Sequence, residues 1–360
     1  MKTIDGVHVL TAEGTAREVG LAHGSEAGEL VKKTIAAYQT MFENQGIAWK
    51  KANAIARTYI PAITDYNPEF IEEMEGIAEG AGVPFDDILT LNCRSEITFQ
   101  SGSTNTDGCT TVSVTPERAE HGDTLLCQTW DWKMALRECV LLLRVKKPGK
   151  PEIITLVEAG TLAKMGMNSA GVGILLNALA SDCKAEGVPL LLALRGILEA
   201  DNFCHAVAAA TKKRVACCGN VMMATRDGEA LDIELAGEDF DVLYPKESIL
   251  VHTNHFVSNR VPRYPYKDTM KFGAASSFMR RGRVDKLLRM VEGPIGLSDI
   301  KRVFSDHADY PNGICSHENP TEPKADRYCT TCCVLMNLTK GEIHVCPANP
   351  CDTPFVKFTF

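Results

Sequence analysis

The sequence predicts an α+β protein in which helices cover layered sheets. Three observations carry that prediction: the first hundred residues are patterned as helices, short β-rich runs begin at Cys109, and strict βαβ alternation is lacking. Residues 16–45, "AREVGLAHGSEAGELVKKTIAAYQTMFENQ", are rich in Ala, Glu, Leu and Lys with apolar residues at helical spacing. "PEFIEEMEGIAEGAGV" follows, with Pro68 at a helix start and Gly80 and Gly82 near its end. "CTTVSV", "TLLCQTW", "CVLLLRV", "EIITLVEAG" and "MGMNSAGVGILLNAL" then read as strands separated by turn residues. Helices return at "GVPLLLALRGILEA", "NFCHAVAAATKK" and "SSFMRRGRVDKLLRMV". Further strands are "NVMMATRD", "ALDIELAG", "SILVHTNHF" and a last hairpin, "CCVLMNL" and "GEIHV", about Lys340-Gly341. No repeat or linker-like tract interrupts the chain, so residues 1–360 are expected to form a single domain.

The bulk numbers exclude several classes of function. A net charge of -8 argues against nucleic acid or an anionic membrane as partner. No apolar run approaches the ~18–20 residues that a spanning helix needs. The start, "MKTIDGVHVLTAEG", has no apolar signal region. A cytoplasmic location is expected, with the fourteen cysteines as reduced thiols. "CTTCC" (Cys329, Cys332, Cys333) followed by "CPANPC" (Cys346, Cys351) has a passable zinc spacing, and His252 and His255 form a weak His-x-x-His pair. The cysteines read better as small apolar residues of the final hairpin, so neither metal nor cofactor is expected.

The chemistry centres on "TDGCTTVSV", where Gly108 precedes a cysteine that opens a strand. If "CTTVSV" and "TLLCQTWD" pair about a midpoint near Glu120, Cys109 faces Asp131 of "TWDW". Cys109, Thr111 and Ser113 then share a polar face that could line a pocket. A thiol of pKa about 8.5 is mostly protonated at neutral pH and needs a base. Cutting the backbone before Cys109 supplies one, since a free α-amine titrates at about 7.7–8.0. Gly108, lacking Cβ, leaves its carbonyl open to the adjacent sulfur. The dipeptide alone fits a turn glycine before a buried cysteine equally well.

"DGCTTV" followed by "QTWDW" resembles the processing site and downstream motif of the isopenicillin N acyltransferase family (acyl-coenzyme A:6-aminopenicillanic acid acyltransferases). The resemblance covers nearly the whole chain, through "GTAREVGLAHG", "EGIAEGAG", "LNCRSE", "EAGTLAKMGMNSAGVGILLNAL", "GVPLLLALR", "VHTNH", "DHADYP" and "IC" in the family's order. It implies the four-layer αββα sandwich of the N-terminal nucleophile hydrolases and self-cleavage into 1–108, a small helical chain, and 109–360, the catalytic chain. Cys109 would be the nucleophile of both cleavage and acyl transfer, with its freed amine as base. Asn254 of "VHTNH" would stabilise the oxyanion through its amide N–H, and Asp131 would orient the amine. Thr110, Thr111, Trp130, Ser316 and Arg327 are candidates for the substrate pocket.

One position departs from the family. Ser316 of "ICSH" stands where relatives carry an arginine, and Arg327 is the nearby candidate to replace it. Ser277, Arg280 and Arg283 also match the family, and the two arginines are expected on a solvated helix face.

The expected protein is a self-processing cysteine amidohydrolase acting on a small N-acyl amine or amino-acid amide. The alternative is an acyltransferase that moves an acyl group from a thioester such as acyl-CoA to an amine. A non-catalytic zinc-binding or scaffold protein is the alternative of another class. Partners would be a small-molecule substrate and the chain's own cleaved N-terminal fragment, with no nucleic acid and no membrane; a homo-oligomer is left open.

Overall fold

In the computed structural model, which describes residues 1–100, 108–181, 186–237, 239–259, 268, 275–323 and 327–360, the chain forms two units, each assembled from three sequence segments. Unit 1 takes residues 1–103, 138–170 and 184–217; unit 2 takes 104–137, 171–183 and 218–360.

Unit 1 starts with a hairpin of β1 (Lys2–Ile4) and β2 (Val7–Glu13). No strand is expected there from periodicity, yet Asp5-Gly6 turns the chain at φ of 44° and 85°, the double positive φ that Asp-Gly favours. Helix α1 (Ala16–Asn44) follows, its first turn closed by a capping box between Thr15 and Glu18. After α2 (Trp49–Arg57) and α3 (Ile60–Tyr66) comes α4 (Glu69–Ala81), which begins after Pro68 and stops at Gly82 in the left-handed conformation. Helices α1 and α4 touch backbone to backbone: a Cβ on Gly20 or Gly24 would fall on the Glu73 and Ile77 carbonyl oxygens. A Cβ on Gly76 or Gly80 would meet the carbonyls of Arg17 and Leu21 in the same way. The glycines of "VGLAHG" and "EGIAEG" are therefore there for close helix approach. Shorter α5 (Phe85–Asn92) and α6 (Arg94–Gln100) complete the N-terminal helices.

Strands β5 (Val140–Lys146), β6 (Ile153–Glu158) and β7 (Met165–Asn168) extend the hairpin in the order β1-β2-β5-β6-β7. α1 packs on β2. Helices α7 (Leu190–Leu198) and α8 (Phe203–Thr211) close the unit. Its interior holds an ion cluster. Glu73 accepts two bonds from Arg195, at 2.9 and 2.8 Å, and Glu199 accepts from Arg195 at 3.1 Å and Lys147 at 2.7 Å.

Unit 2 carries β3 (Gly108–Val114) and β4 (Leu125–Lys133). They join β12 (Ile249–His252), β13 (Tyr328–Asn337), β14 (Glu342–Cys346) and β15 (Val356–Thr359) in an antiparallel sheet ordered β12-β3-β4-β13-β14-β15. Facing it are β8 (Val172–Ala178), β9 (Cys218–Thr225), β10 (Ala230–Ala236) and β11 (Asp239–Leu243), which run side by side. The opposite face of the six-stranded sheet is covered by α9 (Ala275–Arg289) and α10 (Leu297–Phe304). Val112, Val114, Cys127, Val284, Leu288, Phe304, Cys333 and Cys346 form the core between them. Helix, sheet and second sheet are thus stacked within unit 2, and helices cover a sheet within unit 1. This is the expected mixed α+β class. The final hairpin turns at Lys340-Gly341 as expected, with Cys333 opposite Cys346 in register. Those two thiols belong to the apolar core, so "CTTCC" does not form the metal cluster that its spacing allows. Among the described residues, no helix is long and apolar enough to cross a membrane.

Candidate active site

β3 and β4 pair antiparallel with Gly108 opposite Asp131 and Cys109 opposite Trp130. The symmetric estimate of Cys109 against Asp131 is therefore wrong by one residue. Successive strand residues alternate between faces, so the correction moves Asp131 from the face of the thiol to that of Gly108 and Thr110. The Asp131 carboxylate consequently stands against the residue before the proposed cut. A Cβ on Gly108 would lie 3.0 Å from both Cβ and Oδ2 of Asp131. Trp130, fully buried, shares the face of Cys109.

Cys109 is set by its backbone. Its N–H donates to Asn254 Oδ1 at 2.8 Å. Arg280 donates from Nη1 to the Cys109 carbonyl at 2.7 Å and to Thr110 Oγ1 at 2.9 Å, and from Nη2 to Asn254 Oδ1 at 2.8 Å. Two donors meeting at one Asn254 atom identify that atom as the amide oxygen. Asn254 Nδ2 donates to the Ala178 carbonyl at 3.1 Å, and the Asn254 backbone N–H to Ser277 Oγ at 2.8 Å. Cys109, Asp131 and Asn254 are each one per cent exposed, so the Cys109 thiol of the continuous chain is closed to solvent.

Arg280 overturns an expectation. It is buried, not on a solvated helix face, while Arg283 is half-exposed and paired to Asp306 at 2.7 Å. The signal was legible. Ser277, Arg280, Val284 and Leu288 are the buried residues of α9, and their spacing of three, four and four places them on one helix face. An arginine in line with Val284 and Leu288 has to turn inward.

The remaining pocket candidates divide. Thr110 is held by Arg280. Thr111 lines no open pocket: its hydroxyl donates to Asn177 Oδ1 at 2.8 Å on the facing sheet. Asn220 Nδ2 continues that network to Asn177 Oδ1 at 3.0 Å and Asp232 Oδ1 at 2.8 Å. Burial raises the Asp232 carboxyl to about 6. Ser316 is buried, and its N–H donates to Thr330 Oγ1 at 2.9 Å. Thr330 Oγ1 in turn donates to Asp131 Oδ1 at 2.7 Å. Next to Thr330 the β4–β13 register shifts, a bulge of the kind that re-aims side chains beside sites. Ser316 is thus linked to Asp131 through a hydroxyl rather than a guanidinium.

Arg327 does not take the missing arginine's place. It binds the Glu322 carbonyl, the Pro320 carbonyl and Glu318, bracing its own loop. Arg137, which sequence reasoning missed, lies closer, donating to the Thr330 carbonyl at 2.8 Å and to Asn349 Oδ1 at 2.9 Å. His252 and His255 are not a metal pair. His252 Nε2 lies 2.7 Å from Glu234 and Nδ1 lies 2.8 Å from the Thr253 carbonyl. Burial opposes its charge, but the Glu234 bond and the Asp232 and Glu234 charges outweigh burial and raise its pKa. His255 Nδ1 lies 2.7 Å from Ser277 Oγ, and burial, with the His252 and arginine charges, lowers its pKa to about 4.

With this geometry established, comparison with known proteins decides the family. Residues 118–352 match the family described as acyl-coenzyme A:6-aminopenicillanic acid acyl-transferase. The 40 kDa form of the acyltransferase of that name from Emericella nidulans is 30% identical over 313 residues, covering 86% of this chain and 84% of the relative. The chain belongs to the acyl-coenzyme A:6-aminopenicillanic acid acyl-transferase family. As a member it is an enzyme of a family named for acyl transfer. Two solved structures also align. A mutant conjugated bile acid hydrolase from Clostridium perfringens is 12% identical with a TM-score of 0.45, covering 70% of this chain and 97% of its own. Penicillin V acylase from Agrobacterium tumefaciens is 13% identical with a TM-score of 0.42, covering 66% of this chain and 82% of its own.

Proposed function

We propose that this acyltransferase-family chain cuts itself between Gly108 and Cys109 and then acts as a cysteine amidohydrolase on a small N-acyl amine or amino-acid amide. The observation that carries the reading is the setting of that one peptide bond. Asp131 stands against Gly108, and Arg280 and Asn254 hold the two sides of Cys109.

In the first step the Cys109 sulfur adds to the Gly108 carbonyl. The Gly108–Cys109 C–N bond breaks as the nitrogen takes a proton, leaving Gly108 as a thioester on Cys109. Water then hydrolyses the thioester, giving a Gly108 carboxylate, the free thiol and a free Cys109 amine. That amine is the base of catalysis, since at least about half of it is neutral at about pH 8 and it accepts the proton of the adjacent thiol. Asn254 Oδ1, 2.8 Å from the same nitrogen, keeps it oriented. One Nδ2 hydrogen serves Ala178, and the second serves the oxyanion, a contribution of about 3 kcal/mol for donors of this kind. The substrate acyl group passes to sulfur as its amine leaves, and water releases it. Displacement of the cut Gly108 end from β4 opens the buried thiol to substrate.

Acyl transfer to an amine is the second reading, favoured by the Emericella nidulans relative, whose name is that of an acyltransferase. Ser316 in the arginine position favours a substrate other than that relative's, because its hydroxyl, which donates to the Pro311 carbonyl, carries no charge to pair with a carboxylate. Intact-mass spectrometry tests the cut: wild type should yield chains 1–108 and 109–360, and Cys109→Ala should stay whole and inactive. An active C109A variant would end the proposal. Product analysis with and without a competing amine separates hydrolysis from transfer.

A further inference from the structure

Within unit 2, two loops, one between α10 and β13 and one between β14 and β15, bring together His307, Cys315, His317 and Cys351, whose ligand atoms all lie within 4.8 Å of one another. His317 Nε2 is at the centre of the group: it is 3.0 Å from His307 Nε2, 3.5 Å from Cys315 Sγ and 3.6 Å from Cys351 Sγ. A ring nitrogen has a single in-plane direction, one proton or one lone pair, so it cannot serve three neighbours by hydrogen bonding. Four donors that each aim one lone pair at a shared cation have no such conflict. The three distances from His317 are also close to the edges of a coordination tetrahedron. Zinc bonds of about 2.3 Å to sulfur and about 2.05 Å to nitrogen give tetrahedral edges of about 3.6 Å for S···N and about 3.3 Å for N···N.

We propose that His307, Cys315, His317 and Cys351 form a zinc site. Two thiolates and two imidazoles are the borderline-soft, charge-neutralising set that zinc takes in closed structural sites, and four protein donors leave no open position for catalysis. An outer shell is in place. Asn349 Nδ2 lies 3.5 Å from Cys315 Sγ and donates to the Ser316 carbonyl at 2.7 Å, while Asn349 Oδ1 is held by Arg137. The position explains what the ion does. Cys315 and His317 flank Ser316, whose N–H supports the Thr330 hydroxyl that donates to Asp131. Zinc therefore staples the loop beneath the carboxylate facing Gly108. This differs from the sequence-level zinc alternative in residues, apart from Cys351, and in consequence, since the metal supports the site instead of replacing it.

The test uses the full chain, purified under reducing conditions from zinc-supplemented cells. Elemental analysis should find one zinc per chain. Replacing zinc by Co²⁺ should give a thiolate-to-metal charge-transfer band and the intense visible bands of a tetrahedral site. Cys351→Ser and His307→Gln, both at exposed positions, should each weaken zinc binding by at least about 100-fold, the upper end of what loss of a mere outer-shell partner costs. Cys204→Ser, an exposed thiol of unit 1, should bind as wild type. Wild-type protein that holds no zinc and gives no thiolate–cobalt band overturns the proposal. So does full binding in both ligand variants, or a Cys315–Cys351 disulfide in place of metal. Should a variant fail to fold, chelator competition and the cobalt spectrum of the wild type decide alone.

Discussion

Arg280→Met removes the guanidinium that ties Cys109, Thr110 and Asn254 together. Hydrogen bonds from a charged donor contribute about 1.5–3 kcal/mol each, but three from one cation are not additive. Its partners are neutral acceptors, and each one left buried without a donor costs about 1–3 kcal/mol, so a fall in stability of about 3 kcal/mol is expected. The chemistry should feel the share that positions the reacting bond. If one charge-assisted bond is needed in the transition state of the cut, its loss slows processing about 10- to 100-fold, at about 1.4 kcal/mol per decade. Arg280→Lys keeps the charge but cannot span Cys109 O and Asn254 Oδ1 from two nitrogens, so its processing should fall between wild type and Met. The assay is a time course of intact mass for refolding protein, following the chain that begins at Cys109, with thermal unfolding in parallel. Folded Met and Lys variants that both process and turn over within about twofold of wild type would refute the argument.

Two further perturbations probe other parts of the chain. Gly108→Ala places a Cβ 3.0 Å from Asp131, whose other oxygen is held by Thr330, so one of them must shift. At about 1–3 kcal/mol of overpacking the cut should slow by roughly 5- to 100-fold, and an alanine variant cut at the wild-type rate would show that close approach is irrelevant. In unit 1, His23 Nε2 accepts the Gly160 N–H at 3.0 Å, and burial, with the Arg195 charge, lowers its pKa from 6.5 to about 4. A depressed base stabilises the fold above pH 6.5 and loses that contribution as pH falls towards 4. The loss should reach about 2 kcal/mol by pH 5. Urea unfolding of wild type and His23→Gln at pH 8 and pH 5 should differ by that amount, and parallel pH profiles would contradict it.

Much of the site was legible because it is local. Gly108 and Cys109 are adjacent, Asp131 follows in the next strand of the same hairpin, and "VHTNH" closes a predicted strand. The β1–β2 hairpin was missed even though Asp5-Gly6 is a strong turn signal, because β1 has only three residues and β2, though seven residues long, does not alternate strictly between buried and exposed positions. Arg280 was missed because charge was weighed above helix phase.

Composition, periodicity and motif order, all properties of neighbouring residues, were sufficient to establish an α+β chain of the acyltransferase family with a glycine–cysteine joint at a strand start. Tertiary structure alone decided the one-residue register that sets Asp131 against Gly108, the inward turn of Arg280, and the meeting of His307, Cys315, His317 and Cys351. Each of these depends on how segments distant in sequence pair or pack. A shift of one residue in a ladder exchanges the faces of a strand, and loops converge only when the sheet beneath them has formed.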